Sequence, residues 1–198
     1  MKICIYGAGA IGGYLGAQLA GTNAEVSLVA RGPHLAAMRE RGLTVLSGDG
    51  RRTVPVTCTE DPRTLGPQDY VIITLKAHST LPVVDHLKPL LGKDTALVTA
   101  QNGILWWYFH AFPGPLRDRH LDAADPGGRI WRALGPERAI GCVVYPSCEI
   151  VEPGVVRHIE GTRFMVGEPD GSKSERVTAL PAASAGWAPD DHLERDDL

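Results

Sequence analysis

A small set of residues in this 198-residue chain has the type and spacing to do chemistry. The first is the run Gly7-Ala8-Gly9-Ala10-Ile11-Gly12. It follows the apolar stretch Ile3 to Tyr6 and precedes apolar residues at helical spacing, Ile11, Leu15 and Leu19. G-x-G-x-x-G between a strand and a helix is the arrangement that holds a dinucleotide pyrophosphate. Gly7 permits the tight turn, Gly9 lets the phosphates approach the backbone, and Gly12 lets helix and strand pack closely. Free N–H groups and the dipole at the helix start then favour the anion. The plain alternatives are a glycine-rich turn or a secretory leader, but a leader needs an unbroken apolar run and the glycines interrupt it.

Three further positions fall where such a site needs groups. Arg31 lies 24 residues after Gly7, at the end of the next predicted strand, Glu25 to Ala30. An acidic residue there would accept from the ribose 2′-hydroxyl of NAD. An arginine instead offers a planar fork of donors to a 2′-phosphate, so NADP is expected over NAD. Lys76 follows Asp69 to Leu75, a nearly continuous apolar run that predicts a buried parallel strand. Asn102 follows the strand Thr95 to Ala100, within Gln101-Asn102-Gly103. Open α/β sheets bind ligands at the carboxyl ends of their strands, so Lys76 and Asn102 are candidates for contact with cofactor and substrate. The alternatives are a solvated loop arginine, a solvated helix-start lysine and an Asn-Gly turn. His78 reads as a solvated helix-entry side chain.

The elements that position these residues read as alternating strands and helices, a Rossmann-type doubly wound, mostly parallel α/β sheet. Pro33 to Arg41 predicts a helix, Leu43–Leu46 and Thr53–Thr57 a hairpin about Ser47 to Gly50, and Leu81–Leu91 a helix ended by Gly92. Trp106 to His110 predicts aromatic packing, and Pro113 to Gly128 an insertion or loop. Ile130–Leu134 predicts a helical turn and Ala139–Tyr145 a strand. Short strands follow at 149–151, 154–159 and 163–166, and Ser172 opens a helix with Glu175 in the capping-box place.

Composition narrows the function classes. A net charge of −3 gives no electrostatic case for nucleic acid, and no apolar run reaches membrane-spanning length. The four cysteines have neither C-x-x-C nor zinc spacing, so free thiols in a reducing cytoplasm, without a metal, are expected.

The opening GAGAIGGYLGAQLA, Ala30-Arg31-Gly32, Leu75-Lys76-Ala77, Gln101-Asn102-Gly103 and the later GCVVYPSCEIVEPGVVRHIEG together resemble the ketopantoate reductase family (2-dehydropantoate 2-reductase). The resemblance implies NADPH-dependent reduction of a small 2-keto acid, 2-dehydropantoate, to its 2-hydroxy acid on the route to pantothenate. It implies that Gly7 to Gly12 hold the pyrophosphate, Arg31 the 2′-phosphate, and that Lys76 and Asn102 lie beside the nicotinamide and substrate.

The resemblance also implies a second, all-helical domain that supplies the general-acid lysine. Trp187 and the closing DDHLERDDL do not rebuild it, and Lys173 comes too early. The expectation is therefore an NADP-binding domain over residues 1–171 and a truncated start of the helical domain over 172–198, with catalysis impaired. Two other readings stand beside it: a non-catalytic NADP-binding or sensing module, and a reductase for another 2-keto acid.

Overall fold

A computed structural model describes residues 1–180 and the strand Trp187–Pro189. The chain runs β1 (Lys2–Tyr6), α1 (Ala10–Leu19), β2 (Glu25–Val29), α2 (Gly32–Arg41), β3 (Leu43–Ser47), β4 (Gly50–Val54), β5 (Thr57–Thr59) and β6 (Gln68–Ile73). It continues α3 (Val84–Leu87), β7 (Leu91–Ala100), α4 (Arg129–Leu134), β8 (Ala139–Val144), β9 (Ser147–Glu152), β10 (Val155–Glu160), β11 (Phe164–Gly167), α5 (Glu175–Thr178) and β12 (Trp187–Pro189).

Eight strands form one sheet in the order β12-β11-β8-β7-β6-β1-β2-β5. From β5 to β8 the pairs are parallel, and β11 returns antiparallel beside β8. This is the Rossmann strand order, as the alternating pattern predicts. The central strands are buried on both faces, which is why β1 and β6 read as continuous apolar runs. One apolar cluster, with Ile3, Ile5, Leu15 and Leu28, packs under α1; the other, with Cys4, Val71, Ile73, Leu87 and Trp107, packs under α3 and α4. Among the described residues no helix is long and apolar enough to cross a membrane.

A second sheet, ordered β4-β3-β10-β9, covers the far side of α1. The predicted hairpin is present as β3 and β4, but its second strand runs Gly50–Val54, and Thr57–Thr59 joins the main sheet instead. The parallel pairing of β3 with β10, Thr44 opposite Val155, joins segments more than a hundred residues apart.

Two local expectations change. The helix expected over 81–91 is only α3 flanked by 3₁₀ turns at Leu81–Val83 and Lys88–Leu90. Pro82 and Pro89 lack the N–H that a continuous α-helix needs, and β7 begins already at Leu91. Helix α5 is capped by Ser174, not Ser172: the Ser174 hydroxyl accepts from Val177 N–H at 3.2 Å. Val177 and Leu180 are buried, which packs α5 onto the main sheet. The expectations for residues 181–186 and 190–198 lie outside the described residues.

Candidate functional site

The switch point of the main sheet lies at β1, where α1 leads to β2 on one side and the chain later returns as β6 on the other. Ligands of open α/β folds sit at the carboxyl ends of strands at such a point. The glycine loop and the turn carrying Lys76 both emerge there.

Gly7 adopts φ 104°, a left-handed conformation that favours glycine, and a Cβ there would lie 2.6 Å from Leu75 Cδ2. The N–H groups of Gly7 and Ala8 both donate to Val29 O, at 3.1 and 2.9 Å. These two residues therefore spend their donors on fastening the loop to β2. The Gly7 carbonyl accepts from Gly9 N–H at 2.6 Å and from the Thr74 hydroxyl at 2.7 Å. Gly12 packs against that carbonyl so closely that a Cβ would lie 2.5 Å from it and 2.5 Å from Thr74 Oγ1.

The first bond of α1 runs from Gly13 N–H to Gly9 O at 2.8 Å, and no side chain caps the helix. The N–H groups of Ala10, Ile11 and Gly12 thus have no intrahelical acceptor. A Cβ on Gly9 would meet no atom nearer than Gly7 O at 3.9 Å. The protein itself leaves room for a side chain at Gly9, so the bare backbone there suits close approach from outside. Three unclaimed N–H donors, a helix dipole and an open backbone make a cradle for a diphosphate.

Arg31 is exposed at the N-terminus of α2, beyond the carboxyl end of β2, in extended backbone with φ −143°. Its guanidinium has no hydrogen bond or ion pair among the described residues. It lies close enough to Tyr6 to favour that phenol's anion, although burial dominates and holds the Tyr6 pKa above its ordinary value. Lys76 is likewise exposed and unpaired among the described residues, at the start of the 3₁₀ turn Ala77–Ser79. His78, on that turn, is exposed as expected.

Asn102 is exposed at the carboxyl end of β7, but its amide is engaged. Nδ2 donates to Val144 O at 3.1 Å, and Oδ1 accepts from Val144 N–H at 2.9 Å. One amide hydrogen and one lone pair remain for a ligand. The side chain acts as a short rung of sheet between the ends of β7 and β8.

Sequence reasoning passed over two neighbours. Thr74 fixes the glycine loop through Gly7 O, and Gln101 donates to Leu75 O at 2.6 Å and to Thr80 Oγ1 at 3.1 Å. Their partners lie 67 and 26 positions away in the first two cases, so no local spacing announces them. The aromatic run packs as expected: Trp106 and Trp107 are buried, and Trp107 Nε1 donates to Thr99 Oγ1 at 3.0 Å. Within the loop 113–128, buried Asp125 accepts from Ile130 and Trp131 N–H, both at 2.8 Å, and so starts α4.

Residues 3–171 match the family model described as ketopantoate reductase PanE/ApbA. A 2-dehydropantoate 2-reductase of Mesorhizobium japonicum is 52% identical over 181 residues, 91% of this chain and 56% of that protein. A solved ketopantoate-reductase-type structure from Ralstonia solanacearum MolK2 superposes with TM-score 0.85 at 43% identity, covering 93% of this chain and 57% of the other. The PanE/ApbA family ketopantoate reductase from Ralstonia eutropha JMP134 gives TM-score 0.77 at 28% identity, over 100% and 59%. The chain spans little more than half the length of these relatives.

Proposed function

The chain belongs to the ketopantoate reductase PanE/ApbA family, and from that membership we propose that residues 1–171 hold NADPH for the reduction of 2-dehydropantoate to pantoate. The observation that carries this reading is the cradle at the sheet's switch point: the donors of Ala10, Ile11 and Gly12 without intrahelical acceptors, beside an open Gly9. When bound, NADPH supplies the hydride that reduces the keto group. Ala10 to Gly12 bind its diphosphate through backbone N–H groups, while Gly7 and Ala8 keep the loop on β2.

Arg31 grips the 2′-phosphate, since its guanidinium lies beyond the end of β2 without a partner among the described residues. Lys76 stands beside the nicotinamide, holding that end of the cofactor, and offers its ammonium to the substrate's carboxylate or to the oxygen that gains charge during reduction. Asn102 contributes its spare amide hydrogen while its remaining bonds hold the end of β8.

The experiment is a titration of the purified chain with NADPH and NADH, read by quenching of its tryptophan fluorescence, followed by an NADPH-oxidation assay with 2-dehydropantoate. NADPH binding in preference to NADH supports the reading. Equal affinity removes Arg31 from its role, and no binding of either cofactor overturns the assignment.

A further inference from the structure

The turn that presents Lys76 makes few bonds of its own. Ser79 N–H donates to Lys76 O at 2.8 Å, and Thr80 N–H donates to Ala77 O at 3.1 Å. Both bonds stay within the turn, and neither ties it to the sheet. The tie comes from the next strand over. Gln101 is 6% exposed at the carboxyl end of β7. Its Nε2 donates to Leu75 O at 2.6 Å and to Thr80 Oγ1 at 3.1 Å.

Leu75 and Thr80 bracket Lys76 in the chain, so one amide pins both ends of the segment that carries the ammonium. The orientation of that amide is fixed by chemistry. The Leu75 carbonyl can only accept, so the nitrogen must face it. The oxygen is left buried without a partner among the described residues. Gln101 is itself anchored on its other side, because the adjacent Asn102 pairs with Val144 in both directions. The ends of β6, β7 and β8 are thereby joined through two consecutive side chains.

We propose that Gln101 is a positioning residue for Lys76: its amide clamps the turn from Leu75 to Thr80 and so fixes where the Lys76 ammonium stands at the cofactor-binding edge. The inference rests on the role given to Lys76 above. Removing the clamp frees the turn to sample other conformations, and the ammonium is then presented correctly only part of the time, which lowers apparent affinity by that fraction.

Two measurements test it. Amide hydrogen exchange over residues 75–81 of the apo chain reads the clamp without any cofactor, and Gln101→Leu should speed exchange there about tenfold while β1 and β6 stay protected. Thr80→Val, which removes only the second anchor, should give a smaller acceleration in the same segment if the Gln101 variant does not fold. The second measurement is a cycle of NADPH affinities for Gln101→Leu, Lys76→Ala and the double variant. Gln101→Leu should weaken binding about three- to tenfold in the parent and leave it unchanged in the Lys76→Ala background, because coupled residues are not additive. Unchanged exchange in both clamp variants overturns the proposal, and so do additive losses of affinity. A parent chain that takes no NADPH overturns the functional assignment instead, and exchange over 75–81 then decides by itself whether Gln101 holds the turn.

Discussion

The Thr74 hydroxyl donates to the Gly7 carbonyl at 2.7 Å, across the gap between β6 and the loop that follows β1. The same carbonyl accepts from Gly9 N–H and lies where a Cβ on Gly12 would clash at 2.5 Å. One backbone oxygen therefore gathers the loop, the helix start and the neighbouring strand. Thr74→Val keeps the shape and removes the donor. It should cost about 1 kcal/mol, near the usual net worth of a hydrogen bond, which lowers the melting temperature by about 2–4 °C in a chain of this size. Gly12→Ala should cost more, about 1–3 kcal/mol, because the added methyl meets backbone that cannot yield. Thermal unfolding followed by circular dichroism checks both.

Arg31 is expected to decide between the two nicotinamide cofactors. A charge-assisted pair with phosphate is worth about 1.5–3 kcal/mol, so Arg31→Ala should weaken NADPH binding by about ten- to a hundredfold. Binding of NADH, which lacks the 2′-phosphate, should not change. Fluorescence titration with both cofactors reads the ratio directly, and a parallel loss for both would remove Arg31 from the 2′-phosphate.

Glu168 and Arg176 form the ion pair that fastens α5. Arg176 Nε donates to Glu168 Oε1 at 2.6 Å, and its other nitrogens donate to the carbonyls of Glu137 at 2.8 Å and Ala139 at 3.1 Å. The Glu168 carboxylate raises the Arg176 pKa above its ordinary value. Glu168 is buried, whereas the Arg176 side chain is one-third exposed. Glu168→Ala should therefore cost about 2 kcal/mol, less than the roughly 3–5 kcal/mol of a fully buried broken pair. Urea unfolding should show a lower midpoint, and exchange protection in residues 174–180 should fall first.

Stability should decline at both ends of the pH range, for two separate reasons. Burial pushes the Cys4 thiol up to about 12, against a lesser opposing effect of its hydrogen bond with Ser27, and the Cys148 thiol up to about 11. Unfolded thiols titrate near 9.0, so between 9 and 12 the unfolded chain binds fewer protons than the folded one, and stability falls as pH rises. On the acid side, burial lowers the His34 pKa, and its Nδ1 accepts from Gly154 N–H at 3.0 Å. As pH falls below 6.5 the unfolded chain takes up a proton that the folded ring resists, and stability falls again. Melting temperatures from pH 5 to 10.5 should trace this dome. Its raised pKa keeps Cys148 a thiol near pH 8, so Cys148 should react slowly with thiol reagents in the native chain and fully once unfolded.

Much of the candidate site was legible because its placement is written in local spacing. The glycines from Gly7 to Gly12, the apolar runs of β1 and β6, and Arg31 at the close of β2 each follow from a period or a fixed offset along the chain. The helix expected over 81–91 failed for a local reason too: Val84 and Leu87 are buried as their spacing implies, but Leu91 is only half-buried and already opens β7, and Pro82 and Pro89 break the backbone ladder.

The sequence by itself determined the alternating strands and helices, the glycine loop that opens α1 and the edge of the sheet at which Lys76 and Asn102 emerge. Apolar period and glycine placement act within a few residues, so a linear reading captures them. Only the tertiary structure decided that Thr74 holds Gly7, that Gln101 clamps Leu75 and Thr80, that Asn102 pairs with Val144, and that β3 runs beside β10. Each of those bonds joins residues 21 to 111 positions apart, and its geometry is set by strand order and register. A side chain's type states what it can donate or accept; which partner stands opposite is fixed only when the sheet assembles.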